Sequence, residues 1–128
     1  MATAKDTSGP GVRRLKTRPQ FLFVRHGQTD RRRTLVIQSR CRADGQDHIG
    51  VGFTTTRKIG NSVTRNRARR RLREAARLLL PKYGRPGTDY VFIARLQTAG
   101  AGWQQLLDDM ENALISLGQP IQGGPEGP

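Results

Sequence analysis

The chain has a single cysteine, one tryptophan and two histidines in 128 residues, and aromatic side chains make up only 5% of it. Cys41 alone cannot form an internal disulfide, which fits a reducing compartment, so a cytoplasmic protein is expected. No apolar run exceeds five residues, so neither a membrane span nor a signal peptide is expected. Acids are scarce, with 10 Asp and Glu against 23 Lys and Arg and a net charge of +13. A small acidic substrate does not call for that charge, but a nucleic acid does. Protein-based catalysis also lacks its usual groups. His26 and His48 fall at a helix end and a loop–strand junction, and Asp44 and Asp47 share a turn with no second carboxylate pair nearby in sequence. With Cys41, the histidines show no zinc-ligand spacing. The reading is therefore no catalytic residue and no metal site, with Cys41 a small residue at a strand end.

What the chain does have is concentrated between Arg57 and Arg73, where eight of seventeen residues are Arg or Lys and none is acidic. The other 111 residues carry 15 basic and 10 acidic side chains and supply only +5 of the +13. Asn61 or Ser62 can cap a helix here, and nothing from Val63 to Leu80 breaks it before Pro81 ends it. Helical periodicity puts Ala68, Leu72, Ala75, Ala76 and Leu79 on a packing stripe. Asn66, Arg69, Arg70, Arg73 and Arg77 fall on a flank beside it. Arg67 lies further round, and Arg65 sits over the apolar edge near the helix start. Arginine rather than lysine suits bidentate grip on phosphate and stacking on bases. The helix N-terminus adds free N–H groups beside Arg57, Lys58 and Asn61. A merely solvated, salt-bridged face would interleave acids at i±4, and this stretch has none.

In chain order, residues 1–12 read as a disordered arm, 13–118 as one α+β domain and 119–128 as a flexible tail. Hydrophobic content of 34% supports a folded domain. Thr17-Arg18-Pro19-Gln20 has capping-box form, which predicts a helix over 17–26 with Phe21 and Val24 on its buried face and Gly27 closing it. The FLFV run there is also strand-like. Residues 28–33 suit a brief edge strand, 34–39 and 49–54 suit strands, and Asp44-Gly45 marks the turn between them. In IGVGFT, Gly50 and Gly52 leave one face bare for a close neighbour, either a packed helix or a ligand. DYVFIA (89–94) is the most hydrophobic strand and should be central. Trp103 to Leu117 repeats apolar residues at helical spacing, with Gly118 at C′ and its acids, Asp108, Asp109 and Glu111, away from that stripe; it should face away from a polyanion. The order is α-β-β(-β)-α-β-α, a two-layer αβ sandwich on a small mixed sheet.

The strand GVGFT, a short basic connection and KIGNSVTRNRARRRLREAAR together resemble the protein subunit of bacterial ribonuclease P. The Arg65-Asn66-Arg67 core, followed by Arg69, Arg70 and Arg73, carries the resemblance, which covers roughly residues 15–117. It implies a fold like a domain of a small-subunit ribosomal protein, with the basic helix in a left-handed β-α-β crossover against the usual right-handed preference. It implies that Arg57, Lys58, Asn61, Arg65, Asn66, Arg67, Arg69, Arg70 and Arg73 contact the catalytic RNA subunit. A cleft between the first helix and the sheet, with Phe21, Arg25 and Gln38, would hold the 5′ leader of precursor tRNA. Phe21 matches a cleft aromatic of that family and reads equally as core. Arg25 and Gln38 stand where relatives often carry aromatics, and an Arg25 guanidinium can stack on a base instead.

The function so implied is removal of the leader to leave the mature tRNA 5′ end. The RNA subunit and its Mg²⁺ do the chemistry, and the protein assists without a catalytic residue or a metal site of its own. The partners implied are the RNA subunit and precursor tRNA, with no membrane and no protein partner. Two rival readings remain at this point: a ribosomal or other structural RNA-binding protein without a processing role, and a protein-based nuclease. DNA binding by a helix-turn-helix is disfavoured, because the basic helix follows a strand and no partner helix precedes it closely.

Overall fold

Five consecutive apolar residues, Tyr90 to Ala94, can be satisfied on both faces only in the middle of a sheet. That is where they lie. The computed structural model describes residues 11–118. Its elements are β1 (Val12–Arg14), α1 (Arg18–Arg25), β2 (Gln28–Arg31), β3 (Leu35–Cys41), β4 (Ile49–Thr54), a 3-10 turn (Arg57–Ile59), α2 (Ser62–Tyr83), β5 (Thr88–Ala94) and α3 (Trp103–Leu117). The strands form one mixed sheet in the order β1-β4-β5-β3-β2. β1 and β5 run parallel to β4, while β3 is antiparallel to both β5 and β2. β4-α2-β5 is thus a crossover between neighbouring parallel strands.

Period-two alternation sorts the side chains to two faces. Leu35, Ile37, Ile49, Val51, Tyr90 and Phe92 point to one face and join Ala68, Leu72, Ala75 and Ala76 of α2 and Leu106, Met110 and Leu114 of α3 in one buried core. The opposite face is only partly covered, by the short α1 packed on β3 and β5. The two-layer sandwich therefore carries a partial third layer, and the ends of α1 leave the sheet open. α1 is entered as its sequence suggests. Gln20 Oε1 accepts the backbone N–H groups of Thr17 (2.9 Å) and Lys16 (2.6 Å), and Val24 is fully buried.

Several sequence expectations need correction. The order begins with a strand: Val12, assigned above to a disordered arm, opens β1 and pairs with Ile49. Three residues bearing two arginines give no periodicity to read, and parallel pairing with β4 is what orders them. The rest of the expected arm and tail, residues 1–10 and 119–128, lies outside the described residues. Pro81 does not end α2, which runs on to Tyr83 with the Gly84 N–H donating to Leu80 O at 2.8 Å. Proline removes only the bond to the Arg77 carbonyl, and Arg77, Leu78 and Pro81 are all exposed, so water can serve that carbonyl. The acids of α3 do not simply face outward either. Asp109 accepts from the N–H and hydroxyl of Thr34, and Glu111 accepts from the Tyr83 hydroxyl of α2.

Candidate RNA interface

The strand β4 delivers the chain to the basic helix through a tightly built turn. Ile59 is buried and pins the 3-10 turn to the core, leaving Arg57 and Lys58 exposed. Gly60 sits at φ 142°, in the range that favours glycine, with Thr64 beside it. Asn61 then caps α2, its Oδ1 accepting the Thr64 N–H at 2.9 Å. Asn61 is therefore first a structural residue, which leaves its amide nitrogen to face solvent.

The arginines of α2 from Arg65 to Arg73 divide into three groups. Arg65 folds back to donate to Gly60 O at 2.9 Å, and Arg69 donates to Thr55 Oγ1 (3.1 Å) and Asn66 Oδ1 (3.2 Å). These two brace the turn. Arg67 and Arg71 reach the other way and donate to the loop before α3, Arg67 to Ala99 O and Arg71 to Thr98 O and Ala99 O. Arg71 also lies 5.7 Å from the centroid of the Trp103 ring. Burial, and then repulsion from Arg67, pull the Arg71 guanidinium below its ordinary value, though a guanidinium stays charged. Arg70 and Arg73 are exposed and have no protein acceptor among the described residues. Among those residues none of the arginines from 65 to 73 has a carboxylate within 4.0 Å; the ion pairs are Arg32–Asp30, Arg42–Asp44, Arg42–Asp89 and Arg77–Glu74. The face is positioned by neutral acceptors and keeps its full charge.

Across the sheet, the expected cleft residues stand on α1 (Phe21 and Arg25) and on β3 beneath it (Gln38). Gly52, Val91 and Gln38 are aligned across β4, β5 and β3. The Phe21 ring covers Gly52 so closely that a Cβ there would stand 2.4 Å from Phe21 Cε1. The bare face of IGVGFT thus serves a packed helix at Gly52. Gln38 is half-buried on the same face, and Arg25 is exposed at the end of α1. Cavities open at the two ends of α1. One of about 720 Å³ is lined by residues including His26, Ser39, Arg40 and Arg85, and one of about 550 Å³ by residues including Arg13, Arg14, Lys16, Arg42 and Asp89.

Several of these cations were not singled out by sequence. Arg40 lies 4.3 Å over the Phe23 ring and donates to Phe23 O, a platform for which i, i+2 alternation from Gln38 was the available signal. Arg42 gathers Asp89 (2.6 Å), Asp44 (2.9 Å) and His48 O (2.7 Å) and so ties the β3–β4 loop to β5. Burial opposes its charge, but the bonds to both carboxylates outweigh it and raise its pKa. Asp44 is held below its ordinary value by the Gln46 N–H and then by Arg42. Of the two turn acids, Asp44 is thus engaged in structure. Among the described residues no cluster of three or more His, Cys, Asp or Glu could hold a metal ion, and no helix is long and apolar enough to cross a membrane.

Comparison with known proteins agrees with this geometry. The family model for ribonuclease P matches residues 10–118. The chain is 51% identical over 111 residues to the ribonuclease P protein component of Caulobacter vibrioides, covering 87% of this chain and 74% of that one. It is 46% identical to the ribonuclease P protein component of Ruegeria pomeroyi, covering 86% and 90%. Among solved structures, the ribonuclease P protein of Thermotoga maritima superposes with a TM-score of 0.66 at 25% identity, over 80% of this chain and 96% of that one. That of Staphylococcus aureus gives 0.64 at 25%, over 79% and 85%.

Proposed function

The chain belongs to the ribonuclease P protein family, and from that membership we propose that it binds the catalytic RNA and the 5′ leader of precursor tRNA, assisting endonucleolytic removal of the leader. The observation that carries the reading is the α2 face, where six arginines from Arg65 to Arg73 have no carboxylate partner among the described residues, four of them being braced by neutral acceptors. Such a face can neutralise phosphates without first breaking ion pairs.

The protein's share is electrostatic. RNA subunit and substrate repel one another, and a basic domain touching both lowers that repulsion and strengthens substrate binding. Arg70 and Arg73, with Arg57 and Lys58 at the turn, are the open phosphate contacts. Arg65, Arg67 and Arg69 contribute charge while holding the turn and loop in place, and Asn66 and Asn61 offer amide nitrogens beside them. The leader lies along the α1 face, with Phe21, Arg25 and Gln38 beside it and cations at both ends. In this reading no residue of the chain holds Mg²⁺; the ion would be held by the RNA subunit and substrate, where it would supply an activated water and charge stabilisation at the leaving oxygen. Among the protein's own carboxylates, Asp30, Asp44, Asp89 and Glu74 are paired with arginines.

The test is cleavage of a precursor tRNA at low Mg²⁺ by a bacterial ribonuclease P RNA, with and without this protein. Rescue of cleavage at the mature 5′ end is the expected result. Tight RNA binding without rescue would favour a structural RNA-binding protein, and cleavage by the protein alone would favour a nuclease.

A further inference from the structure

On the sheet face opposite α1, between β1, β4 and α2, runs an apolar groove of about 440 Å³. Val51, Phe53, Ala76 and Leu80 contribute to its lining, and Val12, 50% exposed, stands at its mouth. Three guanidinium groups, Arg14, Arg73 and Arg77, line it as well. We propose that this groove takes one unstacked nucleobase of single-stranded RNA, a contact that adjoins the basic flank of α2 and is separate from the α1 face. The proposal rests on the RNA-binding reading above and extends it.

Three observations carry it. Phe53 is a rigid platform, because its ring stacks on Phe92 with centroids 5.4 Å apart. Its accessible side already accepts a planar cation, with the Arg14 guanidinium 5.5 Å from the ring centroid. A planar base can use the same surface, and Arg14 is then free to stack on the base or meet its phosphate. Charge selects the occupant. Arg73 has no carboxylate partner among the described residues and Arg77 has only Glu74, so the rim presents net positive charge to whatever enters. A nucleotide brings an apolar ring face and a phosphate together, matching floor and rim at once. A second copy of this chain would bring its own +13 against that rim, which disfavours self-association there. Finally, Arg73 belongs to the same flank of α2 as the open phosphate contact Arg70, three residues away. RNA docked on that flank therefore passes the groove mouth. A base stacked within a duplex cannot reach the floor, so the occupant must come from a loop, bulge or single strand.

The experiment uses the whole protein assembled with a bacterial ribonuclease P RNA and a precursor tRNA. A photoreactive benzoylphenylalanine replaces Val12 in one sample and Asn66, on the basic helix, in another. Crosslinks from both positions, with position 12 joined to an unpaired nucleotide, are expected. A crosslink from 66 with none from 12 overturns the groove and leaves the RNA-binding reading intact. No crosslink from either, with no stimulation of cleavage, overturns both. A crosslink from 12 within the chain, to a second copy, or to a base-paired stretch also overturns the groove. As a second measurement, Val12→Glu should weaken binding of the RNA about 5–10-fold, at the lower end of what stacking of one base on an aromatic ring is worth. Ile115→Glu, which adds the same charge on α3, should change it less than about 2-fold. Equal losses in the two variants, each melting as the parent does, would reduce the effect to net charge and overturn the proposal.

Discussion

Replacing Arg70 and Arg73 together with alanine isolates the proposed phosphate-binding role of α2 from its folding. Neither guanidinium has a protein acceptor among the described residues, and both are exposed. The double variant should therefore melt within about 0.5 kcal/mol of the parent, as surface changes away from special features do. Removing two phosphate-binding groups reduces the slope of log K against log salt by about 1.4–1.8, taking 0.7 per phosphate for single strands and 0.9 for duplex. Between 50 and 200 mM salt the parent should thus lose about 7–12-fold more affinity for the RNA subunit than the variant does. At 0.1 M, relative to 1 M where the term vanishes, the same slope amounts to about 2 kcal/mol. Filter binding or fluorescence titration at four salt concentrations, alongside a thermal melt, reads both quantities. Arg65→Ala with Arg69→Ala provides the contrast. That pair breaks the bonds to Gly60 and Thr55, so its loss of affinity should come with a lower melting temperature. A slope unchanged in the Arg70–Arg73 variant would remove this flank from the interface and refute the reasoning.

Three further outcomes test other parts of the structure. Gly52→Ala should destabilise the fold by about 1–3 kcal/mol, the usual penalty of overpacking, because its Cβ would press on the Phe21 ring; a denaturant midpoint equal to the parent's would mean that α1 shifts freely. Arg25→Ala and Phe21→Ala should each reduce the preference for leader-bearing over mature tRNA while RNA-subunit affinity stays nearly constant; equal loss for both substrates with Phe21→Ala would make that ring a packing residue alone. Asp44 and Glu74 are both held below their ordinary values, Asp44 by the Gln46 N–H and Arg42, Glu74 by Arg77. Depressed carboxylates contribute stability that is present above the unfolded value, near pH 4, and is lost as pH falls through the lower folded values. Melting curves below pH 4 should accordingly decline less in Asp44→Asn with Glu74→Gln than in the parent, and parallel declines would discard these two contacts as the acid-sensitive ones.

How far the sequence could be read depended on the length of the signal and the reach of the side chain. α2 was legible because its packing stripe repeats over several turns, and five residues of that stripe, Ala68, Leu72, Ala75, Ala76 and Leu79, are buried. β5 was legible because its apolar run has no solvent face. β1 was not, since three residues have no period and its order comes from a partner 37 positions away, Val12 opposite Ile49. Pro81 misled for a physical reason: a breaker's effect depends on whether the lost acceptor can reach water, and that is a tertiary fact. The site shows the same limit more sharply. Helical periodicity assigns a direction to each Cβ, yet an arginine carries its charge several bonds beyond it. Arg69 and Arg70 are adjacent in sequence and were placed on one flank. One is braced against Thr55, while the other stands free. Arg71 drew no separate attention, yet it joins the helix to Thr98, Ala99 and Trp103. Its partners lie in the loop before α3 and at the first residue of α3, which no α2 pattern encodes. Charge density in the sequence therefore located the basic face, while the division between arginines that brace it and arginines left exposed was set by carbonyls and hydroxyls contributed from the β4–α2 connection and the loop before α3. Substitutions that weaken those acceptors should disturb RNA binding without touching a single basic residue.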